Sequence, residues 1–121
     1  MTNGEGWVID EYTTAAGERP VVAFLTQLTG RSKSEAGALI TLLAKRGNAL
    51  RMPHSKALGA GLLELRGRQV RLFYVFRPGR RITLLDGMIK KRDAIPPAVL
   101  ARVRQIQRLI AAEDAKASRG P

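Results

Sequence analysis

The chain has 121 residues, 45% of them hydrophobic, a size and composition typical of one globular domain rather than of a disordered segment. It contains no cysteine and one histidine, which excludes a disulfide scaffold, a thiolate zinc site and a metal site with two histidines from one chain. The formal net charge is +11 and falls entirely in residues 51–121, which favours a nucleic-acid-binding surface; a solvated surface that only aids solubility is the alternative.

The first half of the chain predicts one strand and two helices. Residues 7–14 are rich in β-forming side chains and predict a strand. Residues 20–28 begin with a proline and place apolar side chains at helical spacing. A second apolar stripe predicts another helix. Ser32 and Glu35 have the spacing of a capping box at its start, and Gly47 is its stop signal. We expect these two helices to form a hairpin that packs on a sheet.

The second half predicts a loop, three strands and a helix. Residues 48–61 contain one proline and two glycines and predict a loop. An apolar stripe after Pro96-Pro97 predicts a C-terminal helix. Between them, short turns separate three β-rich runs that predict an antiparallel meander: Leu62–Arg66, Gln69–Arg77 and Arg81–Leu85.

These elements define the expected architecture. The fold class is α+β in the order β-α-α-β-β-β-α, a curved antiparallel sheet with a helical hairpin and a C-terminal helix. Residues 1–113 form a single domain, and the small polar residues 114–121 form a flexible tail. The chain shows no apolar run of roughly 20 residues and no secretory start, so we expect a cytoplasmic protein without a membrane partner.

The middle strand of the meander carries an arginine, Arg71, among apolar side chains. A charge fixed in a central strand is costly unless it meets an anion or a partner. A meander brings its ends together, so Arg66, Arg68 and the basic run at residues 90–92 can converge with Arg71 on one concave face. Such a face can grip phosphate groups, with Phe73 or Tyr74 available to stack on a base. The alternative is a structural ion pair between Arg71 and Glu64 on the next strand.

The residue types suit cleavage of RNA by its own 2′-hydroxyl. Clustered arginine and lysine side chains can stabilise the charge that develops on the phosphoryl group. His54 is a candidate acid or base because imidazole exchanges protons near neutral pH. Lys90 or Lys91 could act as a base only with cationic neighbours or burial to help. We expect no metal and no cofactor, because the basic segment has few carboxylates and Gly59-Ala60-Gly61 lacks the spacing of a nucleotide-binding loop.

The ordered motifs LGAGLLELRGRQVRLFYVF and ITLLDGMIKKRDAIPP resemble the RelE/ParE toxin superfamily, and in particular its HigB-like, phage-associated branch. The resemblance runs from about Phe24 to Ile110 and implies the toxin of a type II toxin–antitoxin pair. RelE-like members cleave mRNA in the ribosomal A site, whereas ParE-like members inhibit DNA gyrase. A non-catalytic RNA- or DNA-binding module is a further alternative.

The resemblance also implies roles for single positions. Arg71 matches the arginine that contacts the scissile phosphate, Lys90 and Lys91 match the basic pair after the last strand, and Arg66 matches the end of the family's ELR strand. Asp86 stands where relatives of this branch often have a histidine, which leaves the proton-transfer residue open.

The resemblance, together with the residues, therefore implies a metal-independent endoribonuclease that acts on mRNA at the ribosome and is neutralised by a cognate antitoxin. The resemblance alone implies that this antitoxin carries a helix-turn-helix DNA-binding part. The catalytic candidates are Arg71, Lys90, Lys91 and His54, and the RNA-binding candidates are Arg66, Arg68, Tyr74, Arg77 and Arg92.

Overall fold

The computed structural model describes residues 6–119. Strand β1 (Val8–Glu11) is followed by helices α1 (Pro20–Gln27) and α2 (Gly30–Arg46) and by a short 3₁₀ turn. Four further strands and a long helix complete the fold: β2 (Ser55–Gly59), β3 (Leu62–Arg66), β4 (Val70–Arg77), β5 (Arg81–Ile89) and α3 (Pro97–Arg119). None of the helices in the described residues is long and apolar enough to cross a membrane.

The strands form one five-stranded sheet in the order β1-β5-β4-β3-β2. The α+β prediction is confirmed, but the expectation of a wholly antiparallel sheet was wrong. Strands β2 to β5 pair antiparallel, whereas β1 joins β5 in parallel. A parallel neighbour requires a long crossover, which α1, α2 and strands β2 to β4 together supply.

Strand β2 lies within residues 48–61, which were expected to form a loop. Its glycines belong to the tight turn into β3, where Gly59, Ala60 and Gly61 all have positive φ angles. Glycine adopts that conformation at low cost. The strand itself is stabilised by pairing with β3, from Ser55 opposite Leu65 to Gly59 opposite Leu62. The turn residues are therefore the reason that the sequence predicts a loop where the fold has an edge strand.

The sheet is covered by apolar layers on both faces. Alternate residues of β4 point to opposite sides, so Leu72 and Tyr74 pack with residues of α1 and α2. Phe73 and Val75 pack with α3 on the other face. Arg71 has the same parity as Phe73 and lies two residues nearer the start of β4, on the face that carries α3.

Helix α3 continues to Arg119, past the tail boundary expected at Asp114. The Arg77 guanidinium donates to the Asp114 carboxylate, at 3.1 Å from Nε and 2.6 Å from Nη2. This contact fastens the last turns of α3 to the sheet, a link that local composition does not reveal. Residues 120–121 of the expected tail and residues 1–5 of the expected domain lie outside the described part of the chain.

Candidate nucleic-acid interface

A hollow of about 360 Å³ lies beside the start of β4. The segment before β2, the end of β3 and the β3–β4 turn form its walls. We call it the arginine hollow, and its lining residues are Pro53, His54, Arg66, Gly67, Arg68 and Arg71. Three arginines and the only histidine of the sequence therefore meet at one place.

Arg71 lies at the base of this arrangement and is 5% exposed. Its Nη1 donates to the carbonyl oxygens of Gly67 and, at 3.1 Å, of Val70. Its Nε lies 3.7 Å from Oε2 of Glu64. The structural ion pair considered as an alternative is therefore present, and Arg71 lines the hollow all the same. These contacts fix the guanidinium without closing off the hollow.

One buried carboxylate serves two guanidinium groups at this site. Glu64, 4% exposed, approaches Arg71 from one oxygen and Nε of Arg66 from the other, at 3.4 Å. That second contact is close enough for an ion pair but not aligned as a hydrogen bond, which leaves the buried Nε of Arg66 without a hydrogen-bond partner among residues 6–119. Because Arg68 adds a third positive charge, the site as a whole has an excess of positive charge.

The electrostatics at Arg71 favour an incoming anion. Burial lowers the pKa of Arg71, the carboxylate of Glu64 opposes that effect, and the positive charge of Arg66 adds to it. Arginine nevertheless stays protonated in proteins. A desolvated cation beside another cation gains more from a phosphate than an exposed one does.

Helix α2 holds the turn that presents these arginines. Oε1 of Glu35 accepts hydrogen bonds from the backbone N–H groups of Gln69, at 2.9 Å, and Val70, at 2.7 Å. Oγ of Ser32 donates to the Gln69 side-chain oxygen at 2.8 Å. The Glu35 carboxylate occupies the space that a Cβ at Gly67 would need, so a larger residue at that position would displace this carboxylate.

The expected capping box was therefore wrong. Thr29 is the N-cap of α2, and no side chain caps the helix. Ser32 and Glu35 have the right spacing for a box, but they reach across to the β3–β4 turn instead. Sequence reasoning missed Glu35 as part of the site because its partners are about 35 residues away along the chain.

The basic segment after β5 lies at the same end of the sheet but does not enter the arginine hollow. The backbone N–H of Lys90 donates to the Gln69 carbonyl oxygen at 2.6 Å, and its Nζ lies 3.4 Å from Asp93. Lys91 and Arg92 line a second hollow of about 380 Å³ between β5 and α3. The expectation that Arg71, Lys90 and Lys91 share one hollow was therefore wrong.

Two other side chains that we expected to bind RNA make contacts outside the arginine hollow. Tyr74 is 1% exposed, and its hydroxyl lies 2.5 Å from Oγ of Ser55. Burial raises the pKa of Tyr74, and its place in the core prevents stacking on a base, as it does for the fully buried Phe73. Arg77 lies at the opposite end of β4, where the Asp114 carboxylate raises its pKa. The two arginines therefore lie near opposite ends of strand β4 and do not share one site.

Comparisons with known proteins agree with this architecture. The family model described as phage-derived protein Gp49-like matches residues 23–108, more than half of the chain, so the protein belongs to that family. No curated protein matches the chain. A chain in the crystal structure of the toxin–antitoxin complex RelBE2 from Mycobacterium tuberculosis is similar, with a TM-score of 0.54 and 16% identity over 70% of this chain and 99% of that chain. This similarity confirms the RelE-like α+β fold.

Proposed function

We propose that this protein is the toxin of a type II toxin–antitoxin pair and that it cleaves mRNA at the ribosome. The observation that carries the proposal is Arg71, which is buried on a central strand yet lines a hollow with two more arginines and a histidine. Membership of a phage-derived family and a fold similar to a chain of a toxin–antitoxin complex support it. The implied setting is the cytoplasm, with a cognate antitoxin as the partner that covers the basic face.

The proposed reaction is an internal transfer that needs no metal. The ribose 2′-oxygen loses its proton to a base and forms a bond to the neighbouring phosphorus. The bond from phosphorus to the 5′-oxygen breaks, and an acid protonates that oxygen. The products are a 2′,3′-cyclic phosphate and a 5′-hydroxyl. Arg71 and Arg68 stabilise the additional negative charge on the phosphoryl oxygens.

His54 is the group in the arginine hollow best suited to move a proton. It is exposed, and its backbone is anchored because its carbonyl oxygen accepts the N–H of Arg66 at 2.8 Å. Imidazole can give and take protons near neutral pH. Lys90 and Lys91 lie outside this hollow, so we assign them to electrostatic attraction of the RNA rather than to proton transfer.

The test is to induce the chain in cells and map the 5′ ends of cellular mRNA. We expect cuts in phase with codons in translated messages. Arg71→Gln should reduce cleavage by about 10²–10³, the usual cost of losing one charge-stabilising donor. Arg68→Gln is the second variant, because Arg68 is exposed and its loss does not threaten folding. Arg108→Gln, an exposed arginine on α3, is the matched control.

Two results would overturn the proposal. One is intact mRNA after induction of the wild-type chain; DNA breaks that depend on gyrase would then favour the ParE-like activity. The other is normal cleavage by folded Arg71→Gln and Arg68→Gln proteins, which would place the chemistry elsewhere.

A further inference from the structure

The second hollow, between the end of β5 and the start of α3, has walls of a different kind from the arginine hollow. Met88 and Ile95 line it and are half-buried, and Pro96 and Pro97 add two rigid apolar rings. With a volume of about 380 Å³, it can take a flat apolar group. We call it the apolar hollow.

Two cations line this apolar hollow. Lys91 and Arg92 are exposed, and neither has an ion-pair partner within 4.0 Å among the described residues. Lys90, by contrast, is within ion-pair distance of Asp93. An apolar cavity beside two available cations complements a ligand that joins a flat ring to a phosphate. A guanidinium can also stack on such a ring.

The two hollows are neighbours in the sheet. Met88 on β5 is the direct register partner of Arg71 on β4. Paired strands lie only about 4.8 Å apart, and both residues are on the face that carries α3. A phosphate at Arg71 would therefore lie one strand away from Met88, which lines the apolar hollow.

We propose that the apolar hollow binds the base of the nucleotide adjacent to the phosphate held in the arginine hollow. It would thereby make the protein selective for the base beside the cut. Met88, Ile95 and Pro96 contact the ring, and Lys91 and Arg92 bind the flanking phosphates. This inference rests on the proposed function, since it takes RNA as the ligand of the arginine hollow.

The first experiment measures binding without cleavage. The purified chain carries labelled methionine and isoleucine methyl groups, whose NMR signals are followed. It is titrated with adenosine 5′-monophosphate, uridine 5′-monophosphate and inorganic phosphate. The nucleotides should shift the methyl signals of Met88 and Ile95 through the ring current of the base. Inorganic phosphate has no ring, so it should cause no ring-current shift at Met88 and Ile95, but it should shift the signal of Met52, whose sulfur lies 3.7 Å from Arg66 beside the arginine hollow.

The second experiment fills the apolar hollow. Ala94 is exposed and lines it, so Ala94→Leu adds bulk there without disturbing the core. We expect this variant to bind the nucleotides about tenfold more weakly, a loss of about 1.4 kcal/mol, and to cut mRNA with a weaker base preference. Leu109→Ala, at a 47% exposed position of α3, is the control and should change neither.

The outcomes separate this inference from the proposed function. Nucleotides that leave Met88 and Ile95 unshifted while they shift Met52 would refute the base site, even if the protein cleaves mRNA. Unchanged base preference in Ala94→Leu would refute it as well. Shifts at Met88 and Ile95 in a protein that leaves mRNA intact would support the base site and refute the nuclease.

Discussion

The contact between Glu35 and the β3–β4 turn gives the most direct test of how this site is assembled. Hydrogen bonds to a charged acceptor contribute about 1.5–3 kcal/mol each. Here both N–H groups share one oxygen, and the carboxylate is only partly buried, so we expect less than the sum of two. Glu35→Ala should lower the free energy of unfolding by about 2–3 kcal/mol. Glu35→Gln retains an acceptor without the charge and should lose about 1 kcal/mol.

The same contact predicts a dependence of stability on pH. Burial alone raises the pKa of Glu35, but backbone hydrogen bonds from Val70, Gln69 and Arg68, with the charge of Arg71, outweigh it and leave the pKa below its ordinary value of 4.5. Since the folded pKa is the lower one, the stabilisation is complete above about pH 4.5 and is lost as the pH falls through the folded value. The difference in stability between wild type and Glu35→Gln should therefore be largest near neutral pH and shrink in acid.

The assay is thermal and urea unfolding, combined with hydrogen exchange at the amides of Gln69 and Val70. A loss of 1 kcal/mol should lower the melting temperature by about 3–4 °C in a domain of this size. Glu113→Ala is the control, because the Glu113 side chain is 67% exposed and its 3.5 Å contact with Arg77 is a weak surface pair. If Glu35→Ala melted like wild type and both amides kept their protection, our account of the turn would be wrong.

Three further outcomes are expected. Tyr74→Phe leaves the buried hydroxyl of Ser55 without its partner and should cost about 1–2 kcal/mol of stability, measured by urea unfolding, with RNA affinity unchanged. Weaker RNA binding by the folded variant would count against burial of the ring. Arg77→Gln removes the ion pair that holds α3 at Asp114 and should lower the free energy of unfolding by about 2 kcal/mol, measured by thermal melting, with normal cleavage per folded molecule. A loss of cleavage without a loss of stability would indicate that Arg77 belongs to the functional site. The logarithm of RNA affinity should fall linearly with the logarithm of salt concentration, and Arg68→Gln should reduce that slope by about 1; an identical slope would show that Arg68 makes no phosphate contact.

The elements that the sequence predicted correctly are those with a strong local signal. The three apolar stripes appear as helices α1, α2 and α3, with buried residues at expected positions. The β-rich runs of the meander appear as β3, β4 and β5. The spacing of apolar residues along the sequence reflects which face of an element is buried. Local spacing is therefore enough to find such elements.

The failures share a different cause, which is contact between segments far apart in the chain. Strand β2 forms because β3 offers it a pairing edge, although its own composition is that of a turn. The end of α3 is held by Arg77, 37 residues before its partner Asp114. Spacing gave Glu35 a place in a capping box, whereas in the fold its carboxylate binds the turn between β3 and β4.

The amino-acid sequence by itself determined that positive charge is concentrated in the second half of the chain and that an arginine interrupts the apolar pattern of its central strand. Only the tertiary structure decided which cations can meet a ligand. It brings His54, Arg66, Arg68 and Arg71 to one hollow, assigns Arg77 to an ion pair and places Tyr74 in the core. The physical reason is that charge is a property of each residue, whereas desolvation and convergence depend on neighbours that only folding brings together.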